Sequence, residues 1–207
     1  MSTSPELTEL NFRPNLKNFL DLSQDELTDF AREVAASQGV IEVYIHPFFY
    51  SNQVTSQIYG EKYSAGQEVE SAITKHLTGN RGQQKRPSLI FEERGLEQTL
   101  PAKLAGFQGL LIYLKTKTRQ AALDDGHTNQ QISLEAILLE KLEQLGVKEI
   151  LIGGAELKEN YKGGRPSLEG CVGEAMGIFG KKFKVTVMDN LTVKKSKPRP
   201  HLSYGAE

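Results

Sequence analysis

Two side chains in this chain of 207 residues have the chemistry of a reacting pair: its single cysteine, Cys171, and His46. Cys171 stands in Glu169-Gly170-Cys171-Val172-Gly173-Glu174-Ala175-Met176, which reads as the opening of a helix. Unpaired N–H groups at a helix start carry partial positive charge, which favours the thiolate and makes the sulfur nucleophilic. His46 precedes Pro47 and follows a strand-like run, Gly39-Val40-Ile41-Glu42-Val43-Tyr44-Ile45; an imidazole there can exchange protons near neutral pH. A thiol served by an imidazole is a working nucleophile–base pair. Each residue also has a plainer reading, which stays open. Free cysteine is among the most buried residue types, and His46 can simply end its strand ahead of Pro47.

The elements that carry these residues follow from hydrophobic periodicity. Ser23 and Glu26 have capping-box spacing and open a helix through about Ser37, with Leu27, Phe30, Ala31 and Val34 at helical intervals. The β-branched run ending at Ile45 is the first strand. An aromatic loop follows, from His46-Pro47-Phe48-Phe49-Tyr50 to Tyr59 and Tyr63, then a helix over 65–78 with Val69, Ala72, Ile73 and Leu77 on one face. A polar loop over 79–87 leads into a second strand at 88–92, a short helix at 96–105 and a third strand at 109–114. Residues 124–132 read as a loop. Leu134, Ile137, Leu138, Lys141, Leu142 and Leu145 then mark the clearest amphipathic helix, ended by Gly146. The fourth strand is 148–152, the Cys171 helix runs to about Phe179, and the fifth strand is 183–188.

Short buried strands alternating with helices, without hairpin signals between them, predict an α/β fold. The expected form is three-layer and doubly wound, a mostly parallel sheet with helices on both faces. Residues 1–22 are expected as an N-terminal arm on the surface, 23–193 as one domain and 194–207 as a basic tail. In such sheets ligands bind beyond the C-terminal strand ends. That places His46-Pro47-Phe48, Glu92-Glu93-Arg94, Lys115 with Lys117, and Gly153-Gly154-Ala155-Glu156 together; strand alternation puts Lys115 and Lys117 on one face.

These residues resemble the isochorismatase-like cysteine hydrolases, a family that includes nicotinamidases. The likeness covers roughly 38–192 and is strongest from Cys171-Val172 to Thr192, where a Cys-Val helix, a Val-rich strand and Asp189-Asn190-Leu191-Thr192 follow the family's order. Gly153-Gly154-Ala155-Glu156 looks like the family's turn after the fourth strand, which carries a cis peptide. The segments Leu100-Pro101 to Ile112 and Lys117 to Leu123 are similar to its lysine-containing stretch, and Ile45-His46-Pro47-Phe48-Phe49 falls at its aspartate motif. The resemblance implies hydrolysis of a small C–N bond. Cys171 would be the nucleophile, Lys117 (or Lys115) its supporting cation, and His46 would stand at the acid/base position. Gly154 and Ala155 would shape the turn. By residue type alone, Phe48 and Phe49 can wall a substrate pocket or pack on the body or a partner subunit, and Arg165, within 157–168, can bind an anionic group of the substrate. The chain departs from the family in carrying His46 for aspartate and in an extra stretch, 157–168, between turn and cysteine. The nicotinamidase metal motif, Asp-x-His-x-His, is absent. The extra stretch reads as a surface loop hinged at Gly163-Gly164, or as a lid.

A second reading makes the chain a non-catalytic relative that uses the same cleft, or the aromatic loop, to bind a ligand or a protein. Aromatic loops often serve interfaces, so a homo-oligomer is expected. Glycine-rich phosphate loops and zinc spacings are missing from the sequence, and no cofactor or metal is expected. With 25 basic and 26 acidic residues the net charge is -1, which offers nucleic acid and anionic membrane no overall attraction. One cysteine fits a reducing compartment, no window approaches the roughly 18 apolar residues of a membrane span, and a cytoplasmic location follows as the default.

Overall fold

The capping box forms as its spacing demands: the Glu26 N–H donates to Ser23 Oγ at 3.4 Å, and the Ser23 N–H donates to Glu26 Oε2 at 2.9 Å. The helix it opens, α1 (Gln24–Ala36), buries Phe30 and Val34. The computed structural model describes residues 16–48, 64–79, 86–92, 104, 111–115, 128–162 and 165–196. The strands are β1 (Leu16–Asn18), β2 (Val40–Ile45), β3 (Ser88–Glu92), β4 (Leu111–Lys115), β5 (Glu149–Lys162), β6 (Arg165–Glu169) and β7 (Lys184–Ser196). The remaining helices are α2 (Ser64–Thr78), α3 (Thr128–Gln144) and α4 (Gly170–Phe179).

The strands form one sheet in the order β1-β4-β3-β2-β5, with β7 also paired to β5. Every pairing is parallel except the β5–β6 hairpin. The continuous apolar runs are explained by burial on both sides. Ile41, Val43 and Ile45 join one cluster with Phe30 and Val34 of α1, Leu138 and Leu142 of α3, and Val172 and Phe179 of α4. Tyr44 and Ile90 join a second cluster with Ile73 and Leu77 of α2. Helices therefore cover both faces of a mostly parallel sheet, an α/β fold. The chain builds outward from β2 through β3 to β4, then returns to the other side of β2 with β5 and β7. The order thus reverses between β2 and β5.

Four expectations change. Leu16–Asn18 pairs with Leu111–Tyr113 and Phe19 and Leu22 are buried, so the end of the supposed surface arm belongs to the body. Phe19 packs edge-on against Phe30, and its carbonyl accepts from Lys141 Nζ at 3.0 Å. Secondly, α3 starts at Thr128, inside the expected loop. Its first turns carry Asn and Gln, which a helix tolerates but which give no apolar signal. Thirdly, Lys194–Ser196, assigned to the tail, continue β7 opposite Leu157–Glu159. Finally, the stretch 157–168 is neither loop nor lid. It prolongs β5 to Lys162 and returns as β6, with Lys162 paired to Arg165 across the two glycines. A Gly-Gly step between strands is a two-residue hairpin signal. The expected 96–105 helix, apart from Leu104, lies outside the described residues, as do Phe49, Lys117 and 197–207. Among the described residues no helix is long and apolar enough to cross a membrane.

Candidate site at the ends of β2 and β5

Two glycines bring three strands together at the order reversal. Ile45 is opposite Gly154, whose φ is +133°; a Cβ there would lie 2.0 Å from the Ile45 carbonyl oxygen. A Cβ on Gly153 would lie 2.6 Å from the Leu191 carbonyl oxygen. That contact arises because β7 bows out. Val187 is opposite Ile152 and Thr192 opposite Gly154, so the intervening residues loop across the strand end, with Thr192 Oγ1 donating to the Met188 carbonyl at 2.8 Å. Gly153-Gly154-Ala155-Glu156 is accordingly not a turn after the strand but part of β5, and every described peptide bond is trans. Its glycines are explained by chain packing, and Ala155 is buried against Val193.

His46 follows β2 with φ +46°, a conformation uncommon for a side-chain-bearing residue, and its N–H donates to the Phe91 carbonyl at 2.7 Å. The side chain is almost wholly enclosed, the residue being 3% exposed, and neither ring nitrogen has a hydrogen-bond partner. Burial pushes its pKa down to about 4, so the ring is neutral at pH 7. Phe48 is buried in the cluster of Tyr44, Ile73 and Leu191, a core position. Lys115 ends β4 with its backbone opposite Glu92.

Cys171 occupies the first turn of α4, half-buried against the cluster that holds Val172 and Ala175. The helix start is seated on β5. Gly170 has φ +83°, and a Cβ on it would meet the Glu156 carbonyl oxygen at 2.8 Å and Glu156 Cγ at 3.3 Å. Glu156 is two residues beyond Gly154, which is opposite Ile45, the neighbour of His46. Cys171 and His46 therefore share one end of the sheet, with Gly154–Glu156 between them. Lys158 adds a charge to the same place: its Nζ is 3.1 Å from Glu156 Oε2, and its backbone is opposite Glu169, the N-cap of α4. Arg165 lies at the turn of the hairpin, four register steps from Glu169, or about 13 Å along the strand. Glu156 and Glu169 stand in runs quoted from sequence but received no role there, and Lys158 was not placed at the site; recognising the Gly-Gly hairpin would have brought all three beside Cys171.

A second polar cluster occupies the N-terminal half of β2. Glu42 is buried, and its Oε2 accepts from Tyr44 Oη at 2.7 Å and lies 3.0 Å from His76 Nε2, while Arg86 reaches Oε1 at 3.5 Å. Burial raises its carboxyl pKa, but the His76 and Tyr44 hydrogen bonds and the His76 and Arg86 charges outweigh it and hold the value below the ordinary one. Among the described residues no group of three or more His, Cys, Asp or Glu is placed to hold a metal ion. Compared with protein-family models, with curated proteins and with solved structures, the chain matches none.

Proposed function

We propose that this chain is a diverged relative of the isochorismatase-like hydrolases that cleaves a small amide-type C–N bond with Cys171 as nucleophile and without a cofactor. The observation that carries this reading is His46. A buried polar group without a partner costs on the order of 1–3 kcal/mol, and a left-handed non-glycine residue about 1 kcal/mol more. A packed strand end has no structural use for that combination. At the order reversal of an open α/β sheet it is what a ligand site looks like before its ligand arrives. Cys171 lies in the first turn of the helix that follows the β5–β6 hairpin, where the helix-start N–H groups favour its thiolate.

In the reaction, the sulfur bonds to the substrate carbonyl carbon and the C–N bond breaks, the amine leaving with a proton. Water then cleaves the thioester, releasing the acid and restoring the thiol. Neutral His46 offers one N–H and one lone pair to the bound substrate. As the store of the thiol proton it is poorly suited, because burial opposes the imidazolium. The cation at the thiol stays with Lys117 or Lys115 in the family-based reading.

The burial of His46 and Phe48 favours a second reading, a site that holds a small ligand without turning it over. Incubation with 4-nitrophenyl acetate separates the two. The hydrolase reading expects one acetyl group on Cys171, released again on standing, and none in Cys171→Ser. A wild-type chain that takes up no acetyl group contradicts it and leaves the binding reading.

A further inference from the structure

We infer that Glu156 takes the proton from the Cys171 thiol and that Lys158 is the positioning residue that holds it there; this rests on the reading of Cys171 as a nucleophile. From sequence Glu156 stands in the run beyond the fourth strand without a role of its own, and Lys158 is not placed at the site. They arrive there because β5 continues past Gly154 and returns as β6.

Two separate contacts put them at the start of α4. The Glu156 backbone and Cγ lie against Gly170, the residue before Cys171, closely enough that only glycine fits. Lys158, on the same strand face two residues on, is opposite the N-cap residue Glu169 and pairs with Glu156 Oε2 at 3.1 Å. The Glu156 side chain is 17% exposed and that of Lys158 42%, so the carboxylate faces inward and the ammonium faces water. Burial acts with opposite signs on the two candidate acceptors. It weakens the hold of an imidazole on a proton and strengthens that of a carboxylate, since the proton neutralises the carboxylate but charges the ring. Lys158 holds the Glu156 carboxylate in place through their ion pair. The buried, unpartnered His46 at the same strand end marks the place as one built for a ligand.

The proton balance closes around one carboxylate. The Sγ–H proton passes to Glu156 as sulfur adds to the carbonyl carbon, and Glu156 gives it to the leaving nitrogen as the C–N bond breaks. In the second half, Glu156 takes a proton from water as its oxygen attacks the thioester. It returns that proton to sulfur as the C–S bond breaks.

The test is the pH profile of Cys171 acetylation by 4-nitrophenyl acetate in the full chain. Wild type is expected to reach half its maximal rate below about pH 7.5. In Glu156→Gln the rate at pH 7 falls on the order of 100-fold, and the midpoint moves up to the free-thiol value of about 8.5. Glu156→Asp keeps the wild-type midpoint at a reduced rate, a result that decides the matter if the Gln variant does not fold. Lys158→Met moves the midpoint, whereas Glu169→Gln leaves it in place. A Glu156→Gln chain, or failing that a Glu156→Asp chain, with the wild-type rate and midpoint overturns the assignment and leaves Cys171 as nucleophile. No acetylation of wild type removes the nucleophile itself, and the assignment with it.

Discussion

Glu42 and His46 are four residues apart, one inside the first half of a central strand and one just past its C-terminal end, and both are buried. Their surroundings differ completely. Around the Glu42 carboxylate stand Tyr44, His76 and Arg86, gathered from β2, α2 and the approach to β3. His46 has no hydrogen-bond partner on either ring nitrogen and a backbone conformation that most side chains avoid. A buried polar group with partners stitches elements together. One without partners weakens the fold and persists where something else requires it. The N-terminal half of β2 is thus a structural joint, and the C-terminal end is the candidate site.

The contrast can be broken in several places. The largest effect belongs to Gly154→Ala, which places a Cβ 2.0 Å from the Ile45 carbonyl at φ +133°. A loss of about 4 kcal/mol or more is expected in urea unfolding, and a near-neutral result would mean that β2 and β5 do not approach this closely. Acid sensitivity comes next. Above about pH 6.5 His46 is neutral folded and unfolded; between there and its folded value of about 4 only the unfolded chain takes the proton. Stability therefore falls with pH across that window by about 3 kcal/mol in all, from the roughly 1.4 kcal/mol that each pKa unit represents. His46→Leu should remove this slope and gain about 1 kcal/mol at pH 7, with reduced acetylation of Cys171. A variant that is less stable at pH 7 by unfolding midpoint would show that the ring does have a partner.

Glu42→Gln should go the other way and lose about 2 kcal/mol at pH 7, because the Tyr44 hydroxyl, His76 and Arg86 face a weaker acceptor. The folded carboxyl pKa is lowered, so its contribution is present above the ordinary value of 4.5 and fades as pH falls through the depressed one. The Gln variant should flatten the stability curve below 4.5, not in the His46 window. Arg86→Leu is the smallest change. Arg86 is 46% exposed at 3.5 Å, so a loss under about 1 kcal/mol is expected, shrinking in high salt. A salt-independent loss of several kcal/mol would place Arg86 far deeper in the joint.

The parallel core was legible because its strands are short β-branched runs, and the ends of α1 and α3 because Ser23, Glu26 and Gly146 are specific stop and start signals. Gly146 has φ +84°, as a helix-ending glycine should. The hairpin was not legible as strand. Over 156–162 the apolar side chains are only Leu157 and Tyr161, and Gly163-Gly164 reads as a hinge as readily as a turn. Consequently Lys158 went unseen and Glu156 was given no role, although Cys171 stood out. Phe48, open in sequence between a ligand wall and packing on the body, fills the core; a strand end followed by Pro47 gives no clue to what packs over it. Glu42 was readable as an anomaly, one charge inside an apolar strand, and such a charge asks for partners; its partners lie 34 and 44 residues away at His76 and Arg86.

The central claim, that a buried and unpartnered imidazole marks the functional end of β2, is tested most directly by an NMR titration of the His46 ring. A midpoint near 4, with a neutral ring throughout the physiological range, is the expected result. A midpoint at or above the ordinary value of 6.5 would contradict the account, because it requires an exposed ring or a partner that stabilises the imidazolium.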